Sequence, residues 1–391
     1  KMIDQAEKMG ITTFTDIERY GLALTLGGGE TKLLELTGAF SVFAAKGTYR
    51  QPNPIIEVTD QKGRVVYKPT QAERKALGED VAFLISDILS DDGARSDVFG
   101  AGSLLNVPGR QVAVKTGTTD DKRDNYAIGY TPSVVVGVWV GNSNNEKMNP
   151  YVASGISGAT PIWRRFMMEY LEGKEVEKFD PPSNVEKMEV DRLTGGFPYK
   201  DFDRRTEWFA ENTKPTVVSD WYERIRVCKV DGRIANQGCI DADRSDEKDF
   251  INIKAEFPEW QSSVDSWVKD AYKDDEKYFP PQMVSKLEFD GKDVDNKKDV
   301  YTQIVGVKEG DPVFLNFRLN AEVSSYKDVK RVTFYMDDEK VSEDNTTPYG
   351  YTFSLSSGQI GKHKFRAVAT DSDDNKGSDE ITLDVKGYAI D

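Results

Sequence analysis

The chain has 391 residues, 38% hydrophobic and 30% charged, which predicts a globular protein of two or three domains. Its 52 lysines and arginines against 67 aspartates and glutamates give a net charge of −15, which argues against a nucleic-acid partner. No apolar run approaches the roughly 18 residues that a membrane-spanning helix needs. The first ten residues resemble neither a signal peptide nor a natural start, so we expect a chain truncated at its N-terminus.

The first hundred residues are predicted to be mainly helical. Residues 1–9 read as the end of a helix, and Thr31 is predicted to cap a long helix that ends at Gly47. Because that helix is apolar almost all round, we expect it to be buried. Residues 55–69 predict a β-hairpin, and residues 79–92 predict a helix whose acidic start favours the helix dipole.

Three strands follow in quick succession, at 111–115, 125–130 and 133–141. Their connections are too short for parallel crossovers, so the pairing is predicted to be antiparallel. Residues 159–173 then predict an amphipathic helix. A helix on an antiparallel sheet is an α+β arrangement, and we assign residues 1–173 to one such domain.

The composition changes after residue 173. Residues 174–240 are predicted to form a small irregular module, and residues 241–285 a polar, acidic connector with some helix. From residue 286 to residue 391, β-rich runs alternate with turn residues at the spacing of a β-sandwich.

Cysteine and histidine are scarce, and this excludes several kinds of site. A Ser-His-Asp triad would have to use His363, and a Cys2His2 zinc site lacks a second histidine. We predict no metal and no cofactor. Cys228 and Cys239 flank a predicted turn at Asp231-Gly232, so they are expected to form a disulfide across a short loop, with a pair of free thiols as the alternative.

An acidic loop near the C-terminus has part of a calcium-binding pattern. Asp371, Asp373 and Asn375 match its start, but the glycine falls one place late and position twelve is a threonine. We therefore expect a solvated hairpin loop. Trp260 and Trp267, seven residues apart, are predicted to pack on a neighbouring surface, with sugar binding as the alternative.

The segment "VAVKTGTTDD", residues 112–121, carries the chemistry. Its glycine leaves the strand surface bare, so that a ligand backbone can lie against it. The hydroxyls of Thr116 and Thr118 can bind a carboxylate, and the Lys115 ammonium adds positive potential. A backbone N–H just after the glycine can stabilise an oxyanion. The triplet Lys-Thr-Gly alone would occur by accident in about one chain in ten of this length, as a strand entering a turn.

The surroundings of this segment resemble the transpeptidase domain of class A penicillin-binding proteins, whose motifs include K-T-G. The Arg-Asp pair at 123–124, Gly-Tyr-Thr-Pro at 129–132 and Gly-Val-Trp-Val-Gly at 137–141 resemble the two strands after that motif. Upstream, residues 22–52 resemble the family's glycine stretch and the helix after it. Downstream, residues 157–167 resemble its closing helix.

The resemblance implies a five-stranded sheet between helices. It also implies a peptidoglycan cross-linking D,D-transpeptidase, which acts by acyl transfer from D-Ala-D-Ala stem peptides through a serine acyl-enzyme and is a target of penicillin. Two alternatives stay open. One is a D,D-carboxypeptidase or β-lactamase-like hydrolase on the same fold, and the other is a non-catalytic cell-wall-binding or adhesion protein.

The resemblance to this family implies roles for the residues at the positions that match its K-T-G motif. Lys115 and Thr118 would be catalytic: Lys115 would tune the electrostatics, and the Thr118 N–H would supply half of the oxyanion hole. Thr116, Gly117, Thr118 and Thr119 would bind substrate, with the hydroxyls of Thr116 and Thr118 on the carboxylate of a stem peptide or of a β-lactam.

The family's nucleophile motif S-x-x-K and its second motif S-x-N have no credible match. The matching strings all follow Lys115, the wrong chain order; they are Ser245–Lys248, Ser266–Lys269, Ser324–Lys327 and Ser143–Asn145. We therefore expect the nucleophile, a glycosyltransferase domain and a membrane anchor to precede residue 1, and the fragment itself to be inactive.

The C-terminal strands resemble bacterial immunoglobulin-like domains appended to surface proteins, which predicts a spacer or a cell-wall contact. The implied partners are peptidoglycan stem peptides and β-lactams, with membrane contact only through the expected anchor. The implied location is extracytoplasmic, at the cell surface or in the periplasm, with anchoring to the cytoplasmic membrane.

Overall fold

The structure, a computed structural model, describes residues 1–70, 72–149, 154–273, 275–289 and 299–387. The chain divides into two compact units. Residues 1–195 and 203–216 form the first, and residues 196–202 and 217–391 form the second. Within the described ranges, no helix combines the length and the apolar character needed to cross a membrane. The domain boundaries at residues 173, 240 and 285 stay predictions.

The helices and strands of the first unit alternate along the chain. Its helices are α1 (Met2–Lys8), α2 (Ile17–Tyr20), α3 (Leu33–Ala44), α4 (Glu79–Ser90), α5 (Asp92–Phe99) and α6 (Ala159–Leu171). Its strands are β1 (Thr48–Arg50), β2 (Val58–Thr59), β3 (Val65–Tyr67), β4 (Glu73–Lys75), β5 (Ala113–Thr118), β6 (Asp124–Tyr130), β7 (Val135–Gly141), β8 (Val185–Asp191) and β9 (Arg204–Ala210). The predicted helices at 1–9, 79–92 and 159–173 are confirmed, within a few residues at their ends.

The central sheet of this unit has the order β5-β6-β7, and both pairings are antiparallel, as predicted. Alternate residues of β6 face opposite sides of the sheet. Tyr130 packs against Phe40 and Phe43 of α3, whereas Gly129 faces Trp163 of α6. The sheet therefore lies between helices, in the α+β arrangement that the sequence predicts.

The layer formed by α3 and α4 includes a buried polar contact with the sheet. The Tyr130 hydroxyl and Ser86 Oγ of α4 form a hydrogen bond of 3.0 Å. Burial raises the pKa of Tyr130 to about 12. The third layer is α6, whose Trp163 and Met167 are completely buried against the sheet.

Helix α3 differs from the prediction at its start and in its burial. Lys32, not Thr31, occupies the N-cap position, and no side chain caps the helix there. The helix is not buried all round, because Leu34 is 67% exposed. An apolar sequence cannot tell which face of a helix meets the sheet. The predicted hairpin at 55–69 is present as β2 and β3, which are short and exposed.

The segment beyond residue 173 is more regular than predicted. Strands β8 and β9 pair antiparallel in the first unit. In the second unit, β10 (Tyr222–Cys228) pairs antiparallel with β11 (Ser245–Ile251). In each hairpin, charged side chains of the two strands form ion pairs, such as that of Arg226 with Glu247 at 3.0 Å. These charges interrupt the apolar–polar alternation by which a strand is identified in a sequence. Two helices complete this region, α7 (Gln237–Asp241) and α8 (Gln261–Tyr272).

The rest of the second unit is a β-sandwich, which confirms the all-β prediction for the described residues 299–387. Its strands are β12 (Val300–Val305), β13 (Pro312–Phe314), β14 (Asn316–Ser325), β15 (Val329–Met336), β16 (Glu339–Asp344), β17 (Tyr349–Ser354), β18 (Gly361–Asp371) and β19 (Lys376–Lys386). One sheet has the order β12-β14-β17 and the other β13-β19-β18-β15-β16. Inward residues such as Phe317, Phe353 and Phe365 form the core between them.

Candidate active site

Strand β5 leaves the core at Lys115. Val112, Ala113 and Val114 are at most 4% exposed, and Val112 and Val114 belong to the core under α6. Lys115 is exposed, and so is Thr118 at the end of the strand. The apolar half of the strand therefore anchors the polar half, which holds the predicted site residues at the surface.

The two kinds of predicted site residue lie on opposite faces of β5. Thr116 and Thr118 share the face of Val114, toward α6, whereas Lys115 and Gly117 share the face of α3 and α4. The Lys115 ammonium bends to the strand edge, where it donates to the backbone carbonyl of Thr116. A ligand that contacts both the ammonium and the hydroxyls would therefore have to lie along this edge.

The edge of β5 is open in the described sheet, because β6 is its one neighbour there. The Thr119 amide donates to the Asp124 carbonyl at 3.1 Å. In an antiparallel pair, inward and outward amides alternate, so the Thr116 and Thr118 amides point away from β6. The Thr118 N–H, the predicted oxyanion-hole donor, thus faces the open edge.

Gly155 contacts both Thr116 and Thr118, although no motif in the sequence pointed to it. Its amide donates to Thr118 Oγ1 at 2.8 Å. A Cβ on Gly155 would lie 2.8 Å from the Thr116 Cβ, too close for any other residue without a shift. Gly155 belongs to a tight turn before α6, in which Gly158 N donates to the Ser154 carbonyl at 2.8 Å. The Ser-Gly-Ile-Ser-Gly string is the signal that could have indicated this turn.

Gly117 has no comparable packing role. A Cβ on Gly117 would meet only the Tyr126 Cβ, at an ordinary 3.7 Å. Its φ is not positive, so the backbone does not require glycine either. The protein's own packing therefore does not require this glycine, and its role as a bare surface for a ligand stays a prediction.

Thr119 closes the turn between β5 and β6. Its Oγ1 accepts hydrogen bonds from the amides of Arg123 at 3.0 Å and Asp124 at 2.9 Å. Asp121 in the same turn pairs with Arg123 and Lys147. The hydroxyl of Thr119 is thus committed to the loop, and its substrate-binding role stays a prediction.

The serine and lysine strings that match S-x-x-K lie in the second unit and are engaged there. Ser324 Oγ donates to Asp231 Oδ2 at 2.6 Å. Ser266 Oγ bonds to its own helix, α8, and Lys269 pairs with Asp344. Lys248 pairs with Glu276. These contacts support the interpretation that the strings match the S-x-x-K motif by chance.

Other candidates from the sequence are structural. Cys228 and Cys239 form a disulfide with a Cα–Cα distance of 5.7 Å. Asp371 is buried and accepts from the amides of Asp373 and Asn375, so it organises its own hairpin turn. His363 pairs with Asp337. No group of three or more potential metal ligands occurs among the described residues.

Comparisons with known proteins agree with the geometry. Residues 4–167 match the family model of the penicillin binding protein transpeptidase domain, and residues 307–367 match that of the bacterial Ig domain. Penicillin-binding protein 1A of Clostridium botulinum is 29% identical over 244 residues, which cover 60% of this chain and 29% of that protein. Penicillin-binding protein 1A/1B of Bacillus subtilis is 29% identical over 238 residues, which cover 55% of this chain and 25% of that protein.

Among solved structures, the crystal structure of penicillin-binding protein 1A from Haemophilus influenzae is 20% identical. The alignment covers 54% of this chain and 36% of that chain, with a TM-score of 0.46. This chain spans less than a third of the length of the Clostridium botulinum and Bacillus subtilis relatives. The matches thus indicate a penicillin binding protein transpeptidase domain at residues 4–167 and a bacterial Ig domain at residues 307–367, in a chain similar to penicillin-binding proteins 1A and 1A/1B.

Proposed function

We propose that residues 1–173 are part of a D,D-transpeptidase that cross-links peptidoglycan by acyl transfer from D-Ala-D-Ala stem peptides. The observation that carries this proposal is the exposed edge of β5, where Lys115, Thr116 and Thr118 meet in a chain with a transpeptidase-family match. β-Lactams would bind at the same edge, because they carry a carboxylate beside a reactive acyl group.

The proposed reaction has two acyl transfers. A serine hydroxyl attacks the carbonyl of the penultimate D-alanine while its proton passes to a base. The base gives that proton to the nitrogen of the terminal D-alanine, and the C–N bond breaks to release this residue. An amine of a second stem peptide then attacks the serine ester, loses a proton to the base and forms the new amide, and the serine leaves with that proton. The Thr118 N–H would stabilise the oxyanion in both steps, and the hydroxyls of Thr116 and Thr118 would bind the terminal carboxylate.

Lys115 would act through its charge. An ammonium at the strand edge lowers the energy of the substrate carboxylate and of the developing oxyanion nearby. Gly117 would let the substrate backbone lie flat on the strand, which agrees with the space above it. Thr119 would act at the periphery of the site, since its hydroxyl accepts two amides of the turn.

The chain by itself is proposed to be inactive, because its sequence has no S-x-x-K before Lys115. We also propose an extracytoplasmic location with anchoring to the cytoplasmic membrane. The disulfide Cys228–Cys239 supports the location, since disulfides persist in oxidising compartments. The Ig-like sandwich is proposed to act as a spacer or to contact the cell wall.

The test expresses this chain together with whatever coding sequence lies upstream of Lys1, and it measures labelling by a fluorescent penicillin. We expect labelling of a serine in an S-x-x-K motif upstream of Lys115. Lys115→Met is expected to slow acylation by about a hundredfold or more, as loss of an electrostatic group at an acyl-transfer site does. Lys68→Met, an exposed lysine of the same unit, is the matched control and should label normally.

The product of a stem-peptide assay separates the alternatives. A cross-linked dimer supports the transpeptidase, whereas a shortened, uncross-linked peptide identifies a carboxypeptidase on the same fold. A protein with both motifs that neither labels nor turns over stem peptides would contradict the proposal and favour the non-catalytic alternative.

A further inference from the structure

The second unit contains a cavity that the proposed function does not use. Its volume is about 470 Å³, in the range of small-ligand sites. Parts of β11, α8 and β14 line it, and so do Glu276 and residues 278–282. Phe250 and Tyr278 contribute aromatic wall, and Asp265 and Arg318 contribute opposite charges.

Arg318 of β14 has no carboxylate partner among the described residues. Its Nε donates to Asn320 Oδ1 at 3.0 Å, its Nη1 makes only a long contact with Thr352 Oγ1 at 3.5 Å, and its Nη2 is buried with no acceptor. Burial lowers its pKa. The carboxylates of Asp344, Asp265 and Asp270 act on this half-buried guanidinium only through space, so it lacks the direct ion pair that such a group normally forms.

Asp265 of α8 is a negatively charged residue that also lacks an ion pair. Its carboxylate accepts one hydrogen bond, from Gln261 Nε2 at 2.8 Å, and it forms no ion pair within the described chain. Burial raises its pKa, and the charge of Arg318 opposes that change through space. The two groups thus attract each other across the cavity without reaching ion-pair distance.

Most of the other charged groups that line the cavity already have partners. The pairs are Arg233–Glu322 at 2.9 Å, Lys248–Glu276 at 2.7 Å and Lys269–Asp344. Asp231 accepts from the hydroxyls of Ser285 and Ser324. Asp265 and Arg318 are therefore half-buried charges of opposite sign that form no ion pair within the described residues.

We propose that this cavity binds a small zwitterion, an amino acid or short peptide, with its carboxylate on Arg318 and its ammonium on Asp265. Such a ligand supplies both missing counter-charges at once. The Asn320 side chain beside Arg318 offers an amide, and the aromatic wall suits an apolar side chain or a peptide plane. This site lies wholly within the second unit and does not depend on the proposed transpeptidase activity.

Calorimetric titration of the whole chain with L-alanyl-L-alanine tests the proposal. The free dipeptide should bind, whereas its N-acetyl form, which lacks the ammonium, and its C-terminal amide, which lacks the carboxylate, should each bind about tenfold more weakly or worse. The L configuration keeps the result separate from any D-Ala-D-Ala binding at β5.

Two variants test which residue binds the carboxylate of the dipeptide and which binds its ammonium. Arg318→Met should abolish the preference for the free dipeptide over its amide, and Asp265→Asn should abolish the preference over its N-acetyl form. Arg331→Met on β15 and Asp338→Asn in the turn between β15 and β16 are matched controls outside the cavity and should bind as the unaltered chain does. Circular dichroism establishes that each variant is folded.

Several results would overturn the proposal. The cavity is not a zwitterion site if the unaltered, folded chain does not bind the dipeptide at millimolar concentration. Equal binding of the free, acetylated and amidated dipeptides would also exclude it, and so would binding that survives both Arg318→Met and Asp265→Asn.

Discussion

The backbone amide of Gly155 donates a hydrogen bond to the hydroxyl oxygen of Thr118 at 2.8 Å. Since this oxygen already accepts one hydrogen bond, its own proton is directed elsewhere and can be donated to a carboxylate. A glycine from the turn before α6 thereby orients a hydroxyl on the exposed edge of β5. The proposed binding site thus depends on a residue 37 positions further along the chain.

Replacement of Gly155 should disturb this arrangement. Gly155→Ala places a Cβ 2.8 Å from the Thr116 Cβ, and we expect it to lower the free energy of unfolding by about 1–3 kcal/mol. Gly117→Ala is the control, because its Cβ would meet Tyr126 at 3.7 Å, and it should change stability by less than about 1 kcal/mol. Urea denaturation measures both, and equal destabilisation by the two changes would refute the packing argument.

The chain as given should not be acylated by penicillin. No S-x-x-K precedes Lys115, and the strings that follow it are engaged in the second unit. We expect no band with a fluorescent penicillin and no added mass, while a full-length class A penicillin-binding protein labels under the same conditions. Stable covalent labelling of any serine in this chain would show that the nucleophile has been wrongly excluded.

The disulfide between Cys228 and Cys239 should stabilise the second unit. It closes a loop with a sequence separation of 11, for which loop entropy gives about 3 kcal/mol. Protein exported to an oxidising compartment should contain no free thiol by mass spectrometry. The double variant Cys228→Ala, Cys239→Ala should unfold at lower urea than the oxidised protein. Two free thiols in the exported protein would contradict the prediction.

Glu35 should make the first unit sensitive to acid. Hydrogen bonds from Lys32 and Thr12 lower its pKa from 4.5 to about 2. Because the folded-state pKa is the lower one, the stabilisation is present above about pH 4.5 and is lost as the pH falls toward 2.

Glu35→Gln should therefore reduce stability at neutral pH and flatten its loss between pH 5 and pH 2. Glu169→Gln, an exposed glutamate of α6 paired with Arg165, is the control and should leave the profile nearly unchanged. Thermal melts across this pH range give the comparison. Parallel profiles for Glu35→Gln and the unaltered chain would contradict the assigned role.

Local patterns predicted most of the regular elements. Strands β5, β6 and β7 are separated by turns too short for a crossover, so their antiparallel order could be read directly. The hairpins β8–β9 and β10–β11 were missed, because charged residues occur on both faces of their strands, as Glu223 and Arg224 do on β10. The Thr31 cap was wrong, because the N-cap position falls on Lys32 and no side chain caps the helix there.

The sequence by itself determined the chemistry of the β5 edge, since Lys115, Thr116, Gly117 and Thr118 are adjacent and their motif is local. Only the tertiary structure decided that the face of Thr116 and Thr118 is the one that meets α6, and that Gly155 orients Thr118. It alone brought Asp265 and Arg318 to one cavity. The reason is physical: alternation and residue type are properties of a short segment, whereas a contact between distant residues exists only once the layers have packed.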